Sequence, residues 1–158
     1  MNSTKMQAIA AIKALRGFIG KQQLAVVVDC CHGEEKQFFF DKLVELAGVV
    51  ATMPKTYEQS DKGGEAVAYL HYFMGGCDWW ITEKDAGSPD DPPDTGQAQA
   101  FGLVSLGYEP ELGYISLPEV FAAGAELDFH WRPKTLAAIK AKLAGAPVLQ
   151  PDESAATA

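Results

Sequence analysis

Apolar residues in the first part of the chain recur with a helical period and predict three helices. Through residues 9–19 they are spaced by three and four positions, behind capping residues at 2–4, and Gly20 is placed to end this helix. Residues 22–31 fit a helical stripe, although their valine run also suits a strand, and we favour a short helix. Residues 34–51 begin with acids and carry one apolar face, which predicts a third helix.

After the third predicted helix the pattern becomes that of extended chain. Residues 66–74 and 77–83 are rich in aromatic and β-branched side chains and predict two strands. Gly75-Gly76 lies between them and predicts a two-residue hairpin turn, in which Tyr72 pairs with Trp79.

The second half predicts short elements on either side of a Pro- and Asp-rich loop. They are strands at about 98–106 and 111–116, a helix over 117–123, a half-buried strand over 126–131, and a last helix from Thr135 to about Leu143. The order of elements predicts an α+β protein, with N-terminal helices followed by a mostly antiparallel β-sheet with short helices.

Length and charge limit the classes of function. The 158 residues are predicted to form a helical N-terminal extension that packs on the core (1–52), an α+β core domain (53–144) and a flexible tail (145–158). A net charge of −8 opposes direct binding to nucleic acid and to anionic membranes. No apolar run reaches the roughly 18 residues that cross a bilayer. The N-terminus also lacks a signal segment, so we expect a cytoplasmic protein.

The acidic charge is distributed unevenly along the chain. Residues 85–131 contain no lysine or arginine in 47 positions. Their nine acids are Asp85, Asp90, Asp91, Asp94, Glu109, Glu111, Glu119, Glu126 and Asp128. Complementary charge speeds association with a basic partner, so this half is predicted to bind a cationic protein surface. The alternative is a solvated acidic face that serves only solubility.

Candidate catalytic and metal-binding residues are few. Cys30-Cys31-His32 invites a zinc interpretation, but no second Cys/His pair follows, and buried reduced thiols are preferred. No nucleophile elbow or phosphate-binding loop occurs, and we expect neither a metal nor another cofactor. A site of carboxylates and imidazoles, acting as a general base or binding a divalent ion, is possible if six side chains come together on the sheet: His71, Asp78, Glu83, Asp85, Asp128 and His130. The alternative is that His130 and its acids line a solvated face.

The tryptophans present a choice between core and interface roles. Acidic surroundings oppose the stacking of nucleic-acid bases on Tyr72, Trp79, Trp80 or Trp131. Because Trp79 and Trp80 are adjacent, they face opposite sides of their strand. One is then a core residue, and the other is covered by a helix or stands at an interface.

Several blocks of the chain resemble a small protein family. They are PKTY (54–57), YLHYF (69–73), DWWITEKD (78–85), AFGLVSLGY (100–108), ELGYISLPE (111–119), ELDFHW (126–131) and PKTL (133–136). In order and spacing they are similar to domain-of-unknown-function family 2958, over about residues 53–140. The resemblance implies a plasmid, phage or conjugative-element setting and an accessory role in transfer, maintenance or blunting of host defences. It supplies no catalytic residues.

Together these observations favour a non-enzymatic accessory protein of a mobile genetic element that binds a basic host or element-encoded protein. Inhibition of a host nucleic-acid-targeting defence system is the most concrete form of this hypothesis. The residues predicted to contact the partner are Asp85, Asp90, Asp91, Asp94, Glu109, Glu111 and Trp80. The alternatives are a small enzyme or metal-binding domain that uses the Asp/Glu/His set, and a homodimer formed through the N-terminal helices.

Overall fold

Three helices form the first third of the chain, as the sequence predicts. In the computed structural model, which describes residues 2–92 and 95–145, they are α1 (Lys5–Ala14), α2 (Lys21–Cys30) and α3 (Lys36–Thr52). α1 ends before the predicted Gly20, and Gly17 with a φ of 85° carries the chain out of the helical path. The predicted tail lies outside the described residues beyond residue 145.

The chain before α1 is tied to α3 by one carboxylate. Asp41 Oδ1 accepts hydrogen bonds from the backbone N–H of Ser3 at 2.8 Å and from Gln37 Nε2 at 2.9 Å. Gln37 Nε2 also donates to the carbonyl of Ser3 at 2.9 Å. The Ser3 N–H favours the charged carboxylate and holds the pKa of Asp41 below its ordinary value of 3.8.

Replacing Asp41 with asparagine is expected to make the free energy of unfolding fall less as the pH is lowered. Because folding lowers the pKa of Asp41, its contribution is present above about pH 3.8 and is lost as the pH falls through the lower folded value. Urea unfolding at pH 5, 4, 3 and 2.5 should therefore show that the free energy of unfolding decreases less for Asp41→Asn than for the wild type. The control is Asp61→Asn, an exposed aspartate outside this contact. An equally steep loss in Asp41→Asn would contradict the assignment.

The strands all follow residue 66, and five of them form one antiparallel sheet in the order β5-β4-β3-β2-β6. The strands are β1 (Val67–Ala68), β2 (Leu70–Met74), β3 (Cys77–Glu83), β4 (Ala100–Ser105), β5 (Glu111–Ile115), β6 (Glu126–Leu127) and β7 (Lys134–Thr135). β1 and β7 pair separately. Two short helices, α4 (Leu117–Ala122) and α5 (Leu136–Leu143), are capped by Ser116 and Thr135 as predicted. The α+β class is confirmed.

The register of the central hairpin is confirmed, whereas two strand predictions are wrong in extent. Tyr72 pairs with Trp79 across the Gly75-Gly76 turn. The predicted strand 66–74 is divided at Tyr69, and the predicted strand 126–131 stops at Leu127. The carboxylate of Asp128 accepts the N–H of His130 at 2.9 Å, which turns the backbone out of the sheet.

Buried side chains form two clusters on opposite faces of the sheet. The larger one joins α1–α3 to one face and includes Leu15, Phe18, Leu43, Leu46, Val50, Leu70, Tyr72, Trp79, Ile81 and Ile115. The smaller one lies beneath α5 and consists of Ala66, Ala68, Trp80, Leu103, Leu136 and Ile139. Adjacent tryptophans therefore enter different clusters, as strand alternation requires. Within the described part of the chain, none of the helices has the length and apolar character needed to cross a bilayer.

Candidate functional site

The predicted acids lie in two groups at opposite ends of β4. Asp90 and Asp91 are exposed in the loop between β3 and β4, and Glu109 and Glu111 are exposed at the turn into β5. A six-residue strand such as β4 is roughly 17 Å long, so the loop and the turn that carry these acids join it at points that far apart. Asp94 lies outside the described residues. The acids therefore flank the β4–β5 ribbon at both ends and do not form one continuous patch.

Two of the predicted partner residues serve the fold. Asp85 uses both carboxylate oxygens within its own loop, accepting the N–H of Gly87 at 2.8 Å and of Gln99 at 3.0 Å. Trp80 is only 5% exposed and packs in the cluster beneath α5. α5 therefore covers Trp80, which is one of the two roles that strand alternation leaves open for the second tryptophan.

The structure brings together part of the predicted Asp/Glu/His set. His71 Nδ1 lies 2.9 Å from Asp128 Oδ2, and His71 Nε2 lies 2.8 Å from Asp78 Oδ1. The imidazole also stacks on the ring of Trp80, with centroids 5.3 Å apart. Glu83 and Asp85 are engaged elsewhere, and His130 joins the set only through its backbone N–H.

This cluster suits a structural role better than a catalytic one. Asp128 and Asp78 occupy the two ring nitrogens of His71, at 2.9 and 2.8 Å. Neither nitrogen therefore faces a place where a substrate could meet it, as a general base requires. The contacts instead attach the segment that follows β6 to the adjacent strands β2 and β3.

In the part of the chain that the structure describes, the residues proposed as metal ligands do not form a coordination site. Within residues 2–92 and 95–145, no group of three or more His, Cys, Asp or Glu side chains is placed to hold a metal ion. Cys30 and Cys31 are half-buried free thiols, and His32 is exposed. Burial, the largest cause, and the neighbouring Cys30 raise the pKa of the Cys31 thiol, which favours its protonated, unreactive form.

An exposed apolar edge is the feature that the sequence analysis missed. β5 is the end strand of the sheet, and its Leu112 and Tyr114 side chains are 48% and 56% exposed. Leu112 lies opposite the buried Leu103, and Tyr114 lies opposite Phe101 with the two rings in edge contact at 5.5 Å. The apolar surface of the α5 side of the sheet therefore continues outward to a strand that α5 does not cover.

Tyr57 extends this edge from a different segment. Tyr57 is 68% exposed, and its hydroxyl shares a hydrogen bond with that of Tyr114. Tyr57 is the one non-glycine residue with a positive φ, 77°, in the part of the chain that the structure describes. That backbone conformation costs about 1–3 kcal/mol, and such strain is concentrated at functional sites.

A buried polar network holds Tyr57 in its strained conformation. The carboxylate of Glu83, itself only 3% exposed, accepts the N–H of Tyr57 at 2.6 Å and of Gln59 at 3.0 Å. The buried side chain of Gln59 in turn donates to the carbonyl of Thr82 at 2.7 Å and exchanges two hydrogen bonds with Val67. We call Leu112, Tyr114 and Tyr57, together with the outer backbone of β5, the β5 edge.

Replacing Tyr57 with phenylalanine is expected to lower the pKa of Tyr114 towards its ordinary value of 10.0. The hydrogen bond between the two hydroxyls is the largest cause that raises this pKa, because with Tyr114 as the donor it favours the protonated form of Tyr114. The measurement is a ¹³Cζ NMR titration of the tyrosine rings. Tyr108→Phe, an exposed tyrosine of the β4–β5 turn, is the matched control. An unchanged Tyr114 titration in Tyr57→Phe would show that the hydroxyl contact is absent in solution.

In comparisons with protein-family models, with curated proteins and with solved structures, nothing matches the chain. The candidate site therefore rests on the geometry of its own residues.

Proposed function

We propose that this chain is an accessory protein that binds a basic protein partner through its acidic sheet-and-loop half. One observation carries the proposal. Exposed acids flank both ends of the β4–β5 ribbon, and the exposed apolar side chains Leu112 and Tyr114 lie between them. Apolar contacts at the centre with complementary charges at the rim are the usual composition of a protein interface.

The chemistry of the partner follows from the charge. Residues 85–131 contain no cation that would neutralise their acids locally, so a cationic surface is attracted and a phosphate backbone is repelled. A partner with a cationic nucleic-acid channel would present such a surface. We therefore propose inhibition of a host nucleic-acid-targeting defence system as the specific form of the function. The mobile-element setting rests on the resemblance of residues 53–140 to family 2958.

The experiment compares two variants that carry the same charge change. The first neutralises the flanking acids (Asp90→Asn, Asp91→Asn, Glu109→Gln, Glu111→Gln), and the second neutralises exposed acids elsewhere (Asp29→Asn, Glu34→Gln, Glu35→Gln, Asp61→Asn). Four neutralisations bring the net charge from −8 to −4 in each. Asp85 is left intact because its two carboxylate oxygens join Gly87 to Gln99 across the loop. Asp91, by contrast, accepts the N–H of Ser88, at 2.7 Å, which the amide oxygen of asparagine can also accept.

Pull-down from host lysate with mass spectrometry, at about 50 mM and about 300 mM salt, reads out the interaction. Each exposed ion pair contributes about 0.2–1 kcal/mol, so we expect the first variant to recover its partner about tenfold less well and the second to match the wild type. The wild-type interaction should also weaken at the higher salt. Equal recovery by both variants would contradict the proposal.

A further inference from the structure

We propose that the β5 edge receives an extended, cationic segment of the partner as an additional strand of the sheet. This inference rests on the proposed function and specifies both its docking site and the chemistry of the docked segment. The partner segment would alternate apolar residues with lysine or arginine. Its backbone would pair with the outer edge of β5.

The backbone of β5 is available for pairing on one side. β4 pairs with its inner side over all five residues, from Glu111 opposite Val104 to Ile115 opposite Ala100. Among residues 2–92 and 95–145, no segment makes backbone hydrogen bonds to its outer side. Edge strands are usually protected by lysine, proline or a bulge. The sequence of β5, ELGYI, has neither lysine nor proline, and its pairing with β4 is regular.

The side chains on one face of β5 favour apolar partner residues. Leu112 and Tyr114 project on the side of the sheet that holds Leu103 and Phe101. A strand added outside β5 would place every second side chain beside this pair, within the distance at which cross-strand neighbours interact. Tyr57 contacts Tyr114 and widens the apolar surface at this end of the strand.

The other face and the turn favour cationic partner residues. Glu111 projects on the opposite face of the sheet. Gly113 lies on the same face, and a Cβ built on Gly113 would meet no heavy atom within 4 Å, so this face is open beside Glu111. Glu109 lies in the turn just before β5, and both glutamates are exposed. The intervening side chains of an added strand would lie on this face, so lysine or arginine there meets carboxylates. Charge complementarity thus identifies the occupant as a cationic segment.

The first test uses synthetic peptides as probes. The main probe is a capped peptide of about nine residues with alternating lysine and valine, titrated into ¹⁵N-labelled protein. A second probe has the same sequence with alternate backbone nitrogens methylated, so that one edge cannot donate hydrogen bonds. A third replaces every lysine with glutamate. We expect the first probe to shift the backbone amides of residues 111–115, and both of the others to bind at least about tenfold more weakly.

The second test uses a pair of variants that add the same charge at two exposed leucines. Leu112→Lys places a cation on the β5 edge, whereas Leu143→Lys places it at the end of α5. We expect Leu112→Lys to weaken binding of the main probe at least about tenfold, since an edge lysine opposes both the apolar contact and the cationic strand. Leu143→Lys should bind as the wild type does.

The outcomes separate strand addition from simple charge attraction. If the methylated peptide binds as well as the main probe, or Leu112→Lys binds as the wild type does, strand addition is wrong. The proposed function, binding through the acidic surface, would still be supported if the variant with four neutralised acids bound the main probe and the methylated peptide more weakly than the wild type does. Sedimentation without peptide tests a second copy of this chain as the occupant. A wild-type dimer that Leu112→Lys dissociates would replace the cationic segment with that copy and overturn the inference.

Discussion

Replacing Gly102 with alanine is expected to destabilise the protein by more than about 3 kcal/mol, or to prevent folding. Gly102 lies in β4 opposite Ile81 of β3, where the pairing of the two strands shifts register. A Cβ there would lie 1.8 Å from the carbonyl oxygen of Trp80 and 2.8 Å from its carbonyl carbon. These are backbone atoms of the central strand, which is paired on both sides, so they have little freedom to move.

Gly113→Ala is the matched control for this prediction. Gly113 is the direct partner of Gly102 across the β4–β5 ladder, yet a Cβ at Gly113 meets no heavy atom within 4 Å. We expect Gly113→Ala to stay within about 0.5 kcal/mol of the wild type. Circular dichroism and urea unfolding measure both variants. Equal stability of the two would mean that β3 and β4 are further apart than this structure has them.

The features that the sequence predicts correctly are local ones. The Gly75-Gly76 turn, the caps at Ser116 and Thr135, and the opposite faces of Trp79 and Trp80 each depend on residues that are close in sequence. Turn chemistry, capping and strand alternation act over a few positions, so one sequence is enough to find them.

The failures involve contacts between distant segments. Alternation over 126–131 predicts a longer strand, but the pairing with β2 ends at the hydrogen bond from the Asp128 N–H to the carbonyl of His71, and the turn at His130 redirects the chain. For Trp80 the alternation leaves a covering helix and an interface as alternatives, because the position of α5 over the sheet depends on tertiary packing. The alternation in ELGYI was visible, but which strand ends the sheet was not.

The β5 edge was missed for the same reason. Tyr57 and Glu83 are 26 positions apart, and no period in the sequence connects them. In the sequence Glu83 was one carboxylate of a possible catalytic set. In the structure its carboxylate instead fixes the backbone of an exposed tyrosine, which assigns it a positioning role.

Replacing Glu83 with alanine is expected to destabilise the protein by about 3 kcal/mol and to remove binding at the β5 edge. The substitution leaves the N–H groups of Tyr57 and Gln59 without their acceptor, and a buried donor without a partner costs about 1–3 kcal/mol. Tyr57 would also lose the contact that holds its positive φ, so its ring should leave Tyr114.

Glu58→Ala is the control for Glu83→Ala, because Glu58 accepts the N–H of Lys55 in the same turn but is exposed to water. Water can replace that acceptor, so the cost should stay below about 1 kcal/mol. Urea unfolding gives the stabilities, and the lysine–valine peptide titration, run where both variants are folded, gives the binding. A folded Glu83→Ala that binds the peptide as tightly as Glu58→Ala would show that Leu112 and Tyr114 suffice. The strained Tyr57 would then need a different explanation.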